Sequence, residues 1–282
     1  MDADSDAADA ASLAVVAQSK AWWYNTWLQN LLWQVALVSA FLLLWEYAAD
    51  RWVSSLMVSR PSAIGKNIWK WTADGTYLKN IWVTLYAMMA GFLLGAVLGT
   101  LIGFITGTWR RLGDILEPIF TAFYTMPRLA LAPLFLLWFG LGIQFRIVFA
   151  ATIIFFLIYF NTFYGVREVS RELLDAVRIM GANRLQLALR VTFPSALVWV
   201  AAGLKISVPY ALVGVVVAEM LASDEGLGYL LQRSATQFSS SGVFASIAAL
   251  LVISLVISRI VSAITAGALR WKTDSEATSR AG

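Results

Sequence analysis

Hydrophobic positions in this chain fall into long, nearly unbroken runs. Apolar residues dominate 31–48, 80–107, 115–139, 145–165, 195–220 and 243–267. Each run approaches or exceeds the roughly 20 residues with which an α-helix crosses hydrocarbon. The pattern predicts an all-α membrane protein of about six transmembrane helices, with both termini on the same side. It divides the chain into an N-terminal tail and interfacial segment, 1–30, a transmembrane domain, 31–267, whose core is 80–267, and a C-terminal tail, 268–282. The interfacial segment holds Trp22, Trp23, Tyr24 and Trp27, amphipathic rings that favour the membrane–water boundary. Between the first two runs, Ile64, Ile68 and Trp71 recur at helical spacing and predict a short helix lying on the outer interface.

One polar stretch, 166–194, interrupts the apolar runs. It carries Arg167, Arg171, Arg178, Arg184 and Arg190 together with Glu168, Glu172 and Asp175. Leu173, Ala176, Val177 and Met180 follow the i, i+3, i+4, i+7 spacing of an amphipathic helix. Gly181 is expected to break that helix, and Pro194 to stop any helix before the fifth run begins.

Glycine and proline add detail. Gly91, Gly95, Gly99, Gly103 and Gly107 sit four residues apart in the second run, a smooth stripe on which another helix can pack closely. Pro118, Pro127 and Pro133 all lie in the third run. Proline removes a backbone hydrogen bond and kinks a helix, and such kinks are tolerated in lipid where the freed carbonyls face protein or water. The third span is therefore a candidate wall of a pathway. The segment 221–242, rich in glycine and serine, reads as a loop able to move.

Composition fixes the class. Sixty per cent of the residues are hydrophobic and 13% charged, with mean hydropathy +0.72, where soluble domains carry about 25% charged residues. There is neither Cys nor His, which excludes disulfides and His-based catalysis. The net charge of +4 reflects loop lysines and arginines and gives no reason to expect nucleic acid. The first residues, with Asp2, Asp4, Asp6 and Asp9, are acidic where a signal peptide is positive. With both termini cytoplasmic, Lys20, Arg110, Arg111, the five insert arginines, Arg270, Lys272 and Arg280 lie inside. Arg51, Arg60, Lys66, Lys70, Lys79, Arg146 and Arg233 lie outside. The excess inside favours this orientation.

Charges inside the runs need reasons, because a central Arg or Lys costs about 2.5–3.5 kcal/mol on insertion scales. Arg128, beside Pro127, and Lys205 are candidate pathway residues able to attract an anion. Arg128 has the alternative of pairing with a proline-freed carbonyl, and Lys205 of snorkelling to the interface. Glu219 closes the fifth run as a candidate gate, a cap for the following loop or a partner for Arg233. Asn161 reads as interhelical glue, and Arg146 and Glu46 as interfacial. No Gly-x-x-x-x-Gly-Lys-Ser/Thr phosphate loop is present, so ATP hydrolysis is not expected of this chain, and nothing points to an enzyme.

The polar insert reads Asp175-Ala176-Val177, three residues, Gly181, nine residues, Val191-x-Phe193-Pro194. This resembles the EAA loop of ABC-importer permease subunits, whose pattern is Glu-Ala-Ala, three, Gly, nine, Ile-x-Leu-Pro. The stretch from Met126 to Gly142 (MPRLALAPLFLLWFGLG) is similar to permeases for nitrate, sulfonate, taurine and bicarbonate. So are Gly203-Leu204-Lys205, Val217-Ala218-Glu219-Met220 and Gly226-Leu227-Gly228. The resemblance implies a type I ABC-importer permease fold in a bacterial inner membrane, with a second permease copy about a two-fold axis, most simply a homodimer. It implies two cytoplasmic ATPase subunits gripping the insert through Glu172, Asp175, Ala176, Arg178, Gly181, Arg184 and Pro194. An extracytoplasmic binding protein would deliver a small anion, here an organic sulfonate first. It implies no cofactor on this chain, since ATP and magnesium bind the ATPase. A vitamin precursor or other small organic solute is the alternative cargo. An ion-coupled secondary transporter is the rival class, but no convincing internal repeat supports it.

Overall fold

The computed structural model describes residues 28–52 and 54–268, and the regular elements among them are helices. The expected tail and aromatic anchor at 1–27 and the C-terminal tail after Ala268 lie outside the described residues. The chain divides into two compact units, Met1–Gly65 and Lys66–Gly282.

In the first unit, α1 (Leu28–Ala48) is long and apolar enough to cross a membrane. It is followed by α2 (Ser55–Val58) and the start of α3 (Pro61–Ala73). Trp45 donates its indole N–H to the carbonyls of Val58 and Ser59 at 3.3 and 3.2 Å. Glu46 accepts the backbone N–H and hydroxyl of Ser62 at 3.0 and 2.7 Å, and Arg60 pairs with Asp50. These bonds tie the end of α1 to the start of α3.

The second unit holds α4 (Thr76–Thr108), α5 (Arg110–Thr125), a 3-10 turn (Arg128–Leu131), α6 (Ala132–Phe139) and α7 (Ile143–Arg167). The insert follows as α8 (Arg171–Ile179) and α9 (Arg184–Leu187). A π turn (Ala188–Thr192), α10 (Phe193–Ala222), α11 (Leu227–Thr236) and α12 (Ser240–Ala268) complete it. Among the described residues, four helical spans of this unit are long and apolar enough to cross a membrane, and α1 makes five. The pair α5 and α6 makes a sixth only if a bend of 82° is allowed.

That bend corrects the expectation of one merely kinked third span over 115–139. Of its three prolines, Pro118 stays inside α5 and Pro133 sits in the first turn of α6, where no N–H is needed. Pro127 alone breaks the chain. The residue before it, Met126, is forced out of the helical region to ψ 139°, as the proline ring demands.

The glycine stripe forms the central seam. A methyl group at Gly91, Gly95, Gly99 or Gly103 would lie 2.9, 2.6, 2.7 or 2.7 Å from the carbonyl oxygens of Ile147, Ala151, Phe155 and Tyr159. At Gly107 it would lie 2.8 Å from the Val166 Cβ. Glycines and carbonyls advance together by four residues, so α4 and α7 run parallel with one register along the whole seam. In lipid, such close backbone approach supplies the packing that hydrophobic burial supplies in water. α10 crosses the other way, with Gly165 against Trp199, Gly203 against Asn161 and Gly214 against Ala150. Met88, Ile154, Ile158, Val208, Val215 and Leu227 fill the main core. A second cluster, with Ala132, Phe145, Phe149 and Ala218, holds α6 to α7 and α10.

The segment expected to be a mobile loop, 221–242, contains α11, whose support comes from other helices as described below. Pro194 does not stop a helix either: Arg184–Ala222 is one continuous span of 39 residues. Pro194 lacks the N–H that would bond the Arg190 carbonyl. The preceding π turn absorbs the mismatch, with the Phe193 N–H reaching the Ala188 carbonyl. The Ser195 hydroxyl donates to the Val191 carbonyl at 2.8 Å.

Candidate functional site

The insert between α7 and α10 is a helix–turn–helix built from local signals. Ser170 caps α8 by accepting the Leu173 N–H at 3.2 Å. Glu172 in the first turn and Arg178 in the last complement the helix dipole. Asp175 pairs with Arg178 at 2.9 Å one turn on. α8 ends in a Schellman turn: the Gly181 N–H bonds the Arg178 carbonyl and the Ala182 N–H the Val177 carbonyl. Gly181 holds φ +91°, a left-handed conformation that glycine adopts without strain. Asn183 and Gln186 then form a capping box for α9, at 2.8 and 2.9 Å.

The result is a small hairpin with an uncovered apolar edge. Ile179 is 87% and Met180 85% exposed, and Leu173, Leu185 and Leu189 are exposed as well. Val177, Met180, Gly181, Ala182, Gln186 and Arg190 line a groove. Glu172, Ala176, Arg178 and Arg184 surround this edge on exposed positions. A compact polar and apolar ridge of this kind suits a helix-in-groove contact with a soluble protein. Of the expected coupling residues, Glu172, Asp175, Ala176 and Arg178 lie on α8, Gly181 in the turn and Arg184 on α9. Pro194 lies beyond them, in the first turn of α10.

Among the described residues, no hydrogen bond or ion pair joins any two of the expected pathway residues. Pro127 forms the break after α5. Arg128 donates to the Tyr124 carbonyl at 2.8 Å and the Ile153 carbonyl at 3.4 Å. It also lies over the Tyr124 ring at 4.6 Å. It thereby caps the end of α5 with a side chain. Lys205 is exposed on α10, with no ion pair among the described residues. Asn161 spends its amide on its own helix, donating to the Leu157 carbonyl at 2.8 Å.

Glu219 is 1% exposed and does not pair with Arg233, which instead reaches the Tyr229 hydroxyl. Its carboxylate accepts the Thr84 hydroxyl at 2.9 Å and the Gly228 N–H at 2.9 Å. Thr84 in turn accepts the Leu227 N–H at 2.8 Å, and Asn80 accepts the Gly226 N–H at 2.6 Å. The orphan N–H groups at the start of α11 are thus capped by α4 and α10. Arg146, near the start of α7, is 7% exposed. Its guanidinium approaches the Glu219 carboxylate at 3.9 Å.

One charged residue, and the partners of another, escaped the reading of the sequence. Arg259 sits exposed in the apolar run of α12, and its charge inside the run was the available signal. Arg167 was visible in the insert, but its partners Asp114 and Glu117 lie in α5, beyond the reach of any spacing pattern.

Residues 67–269 match the family described as "Binding-protein-dependent transport system inner membrane component". A Bacillus subtilis protein named as the aliphatic sulfonates transport permease SsuC is 31% identical over 89% of this chain and 90% of its own length. The formylaminopyrimidine transport permease ThiX of Halalkalibacterium halodurans is 36% identical over 62% of this chain and 70% of its own. The riboflavin transport system permease RibX of Chloroflexus aurantiacus is 30% identical over 77% and 81%. A chain of the inward-facing MetNI methionine ABC transporter superposes with TM-score 0.62 at 19% identity. That match covers 68% of this chain and 96% of the other.

Proposed function

Because this chain belongs to the family of binding-protein-dependent transport system inner membrane components, we propose that it forms half of an ATP-driven uptake path for a small anion, an organic sulfonate first among them. The chain is the membrane permease of an ABC importer and not an enzyme. Two copies would enclose the path, most simply as a homodimer. Two ATPase subunits would hold ATP and magnesium, and a binding protein on the other face would supply the cargo. Both termini face the cytoplasm in this reading, because that orientation puts the insert and most arginines inside.

The observation that carries the reading is the hairpin of α8 and α9, with its uncovered Ile179 and Met180 beside a Schellman turn at Gly181. Such an apolar edge marks a protein or membrane contact; the interspersed Glu168, Glu172 and Asp175 weaken attraction to anionic lipid, and the charges around the edge would set register at a protein rim. The test is co-purification of an ATPase with the permease. Gly181→Asp together with Arg178→Glu should abolish it, and an ATPase that stays bound sinks the coupling role.

Support for the anion is the relative named for aliphatic sulfonates, alignable over nearly the whole chain, together with the unpaired Lys205 cation. The relatives named for formylaminopyrimidine and riboflavin favour a second reading, a vitamin or vitamin precursor. Calorimetry on the binding protein that partners this permease separates the two: sulfonate binding supports the first, pyrimidine or flavin binding the second.

A further inference from the structure

We propose that Arg167 is a positioning residue that makes the insert and α5 move as one body during transport. The proposal rests on the reading of α8 as the ATPase contact. Arg167 is the last residue of α7, and Ser170, which caps α8, follows within a single turn. A displacement of α8 therefore pulls on the Arg167 backbone through this short link.

From there the guanidinium crosses to α5. Nη2 donates to the Asp114 carboxylate at 2.6 Å and to the Arg110 carbonyl at 3.4 Å, and Nη1 lies 3.6 Å from Glu117. Tyr164, on the same face of α7, donates its hydroxyl to the other Glu117 oxygen at 3.0 Å. The guanidinium lies over the Phe163 ring at 4.3 Å. The close approach depends on Gly113, where a Cβ would come 2.5 Å from Nη2 and 3.0 Å from the Phe163 ring. A planar fork gripping two carboxylates fixes position and angle together, which a point charge does not.

The remainder of the α5–α7 contact cannot do this alone. Phe120 meets the rings of Phe155, Phe156 and Tyr159 at 6.0, 6.2 and 4.6 Å, apolar contacts with little directional preference along the helix. Among the described residues, the ion pairs from α5 to another helix are those of Arg167. Arg128 secures the far end of α5 by hydrogen bonds to carbonyls. With the fork intact, α5 follows the insert; without it, α5 is free to lag.

The chain has no cysteine, so paired spin labels report the motion directly. Labels replace the exposed residues Arg171 on α8 and Ile115 on α5, each paired with one at Leu255 on α12. The full permease, isolated with its ATPase subunits in nanodiscs, is measured nucleotide-free and trapped with ATP and vanadate. In the parent, both distances should shift. In Arg167→Gln the α8–α12 shift should persist, while the α5–α12 shift falls to less than half and uptake per ATP drops about tenfold. Arg167→Lys should recover part of both. An α5–α12 shift unchanged in Arg167→Gln overturns the proposal. Absence of the α8 shift in the parent overturns the underlying ATPase-contact reading, and the proposal with it. Where Arg167→Gln fails to assemble, Asp114→Asn with Glu117→Gln gives the same readout. A purely structural clip would lower thermal stability yet leave both shifts and uptake per ATP intact.

Discussion

Thr84 donates its hydroxyl to the Glu219 carboxylate at 2.9 Å across 135 residues of sequence. The same oxygen accepts the Leu227 N–H at 2.8 Å. One hydroxyl thus joins α4, α10 and the start of α11. Thr84→Val should lower stability by about 1–3 kcal/mol, the cost of leaving buried polar groups unpaired. Glu219→Ala should cost more, about 3–5 kcal/mol, because Arg146 is left buried beside no carboxylate. Thermal unfolding in detergent measures both. In a double-mutant cycle the two changes should be clearly non-additive, and simple additivity would show that the hydroxyl and carboxylate act independently.

The seam between α4 and α7 makes a graded prediction. Gly99→Ala places a methyl group 2.7 Å from the Phe155 carbonyl and should destabilise by about 1–3 kcal/mol through overpacking. Gly99→Leu should prevent stable folding. Gly267→Ala meets nothing within 4 Å and should be neutral, so equal losses at both positions would contradict the seam.

At Gly181 the backbone has φ +91°. Replacement by Val forces a β-branched residue into a left-handed turn, at about 1–2 kcal/mol or more. Asn is tolerated better in that region. ATPase binding, measured by surface capture of the purified permease, should fall in the order Gly181, Asn, Val. An unchanged affinity for Gly181→Val removes the turn from the contact.

Lys205 and Arg128 should part company. Lys205→Ala should cut uptake of an anionic cargo at least tenfold while leaving unfolding temperature within about 1 °C, since an exposed change away from packing shifts stability by no more than about 0.5 kcal/mol. Arg128→Ala should instead lower the unfolding temperature, because the Tyr124 and Ile153 carbonyls lose their donor. Unchanged uptake in Lys205→Ala refutes a path-facing role for that residue.

The parts legible in the sequence are those set by local periodicity. The length of each apolar run marks a span, and the four-residue glycine period marks a packing face before its partner is known. The α8 helix, its glycine stop and its polar rim follow from neighbours within a few residues. What stayed hidden depends on groups far apart in the chain. Nothing beside Arg146 in the sequence points to Glu219, 73 residues on, as its partner. The 221–242 segment reads as loop because the side chains that cap α11, Asn80 and Thr84, belong to α4. Pro118, Pro127 and Pro133 look alike in sequence. Only their place relative to a helix start decides that Pro127 breaks the chain and the others do not.

The π turn at Ala188–Thr192 has one more implication. It keeps α9 and α10 in one helical span of 39 residues, so no non-helical link separates Arg184 at one end from the Glu219 knot near the other. The insert and the cap of α11 are therefore wired by a single run of backbone hydrogen bonds.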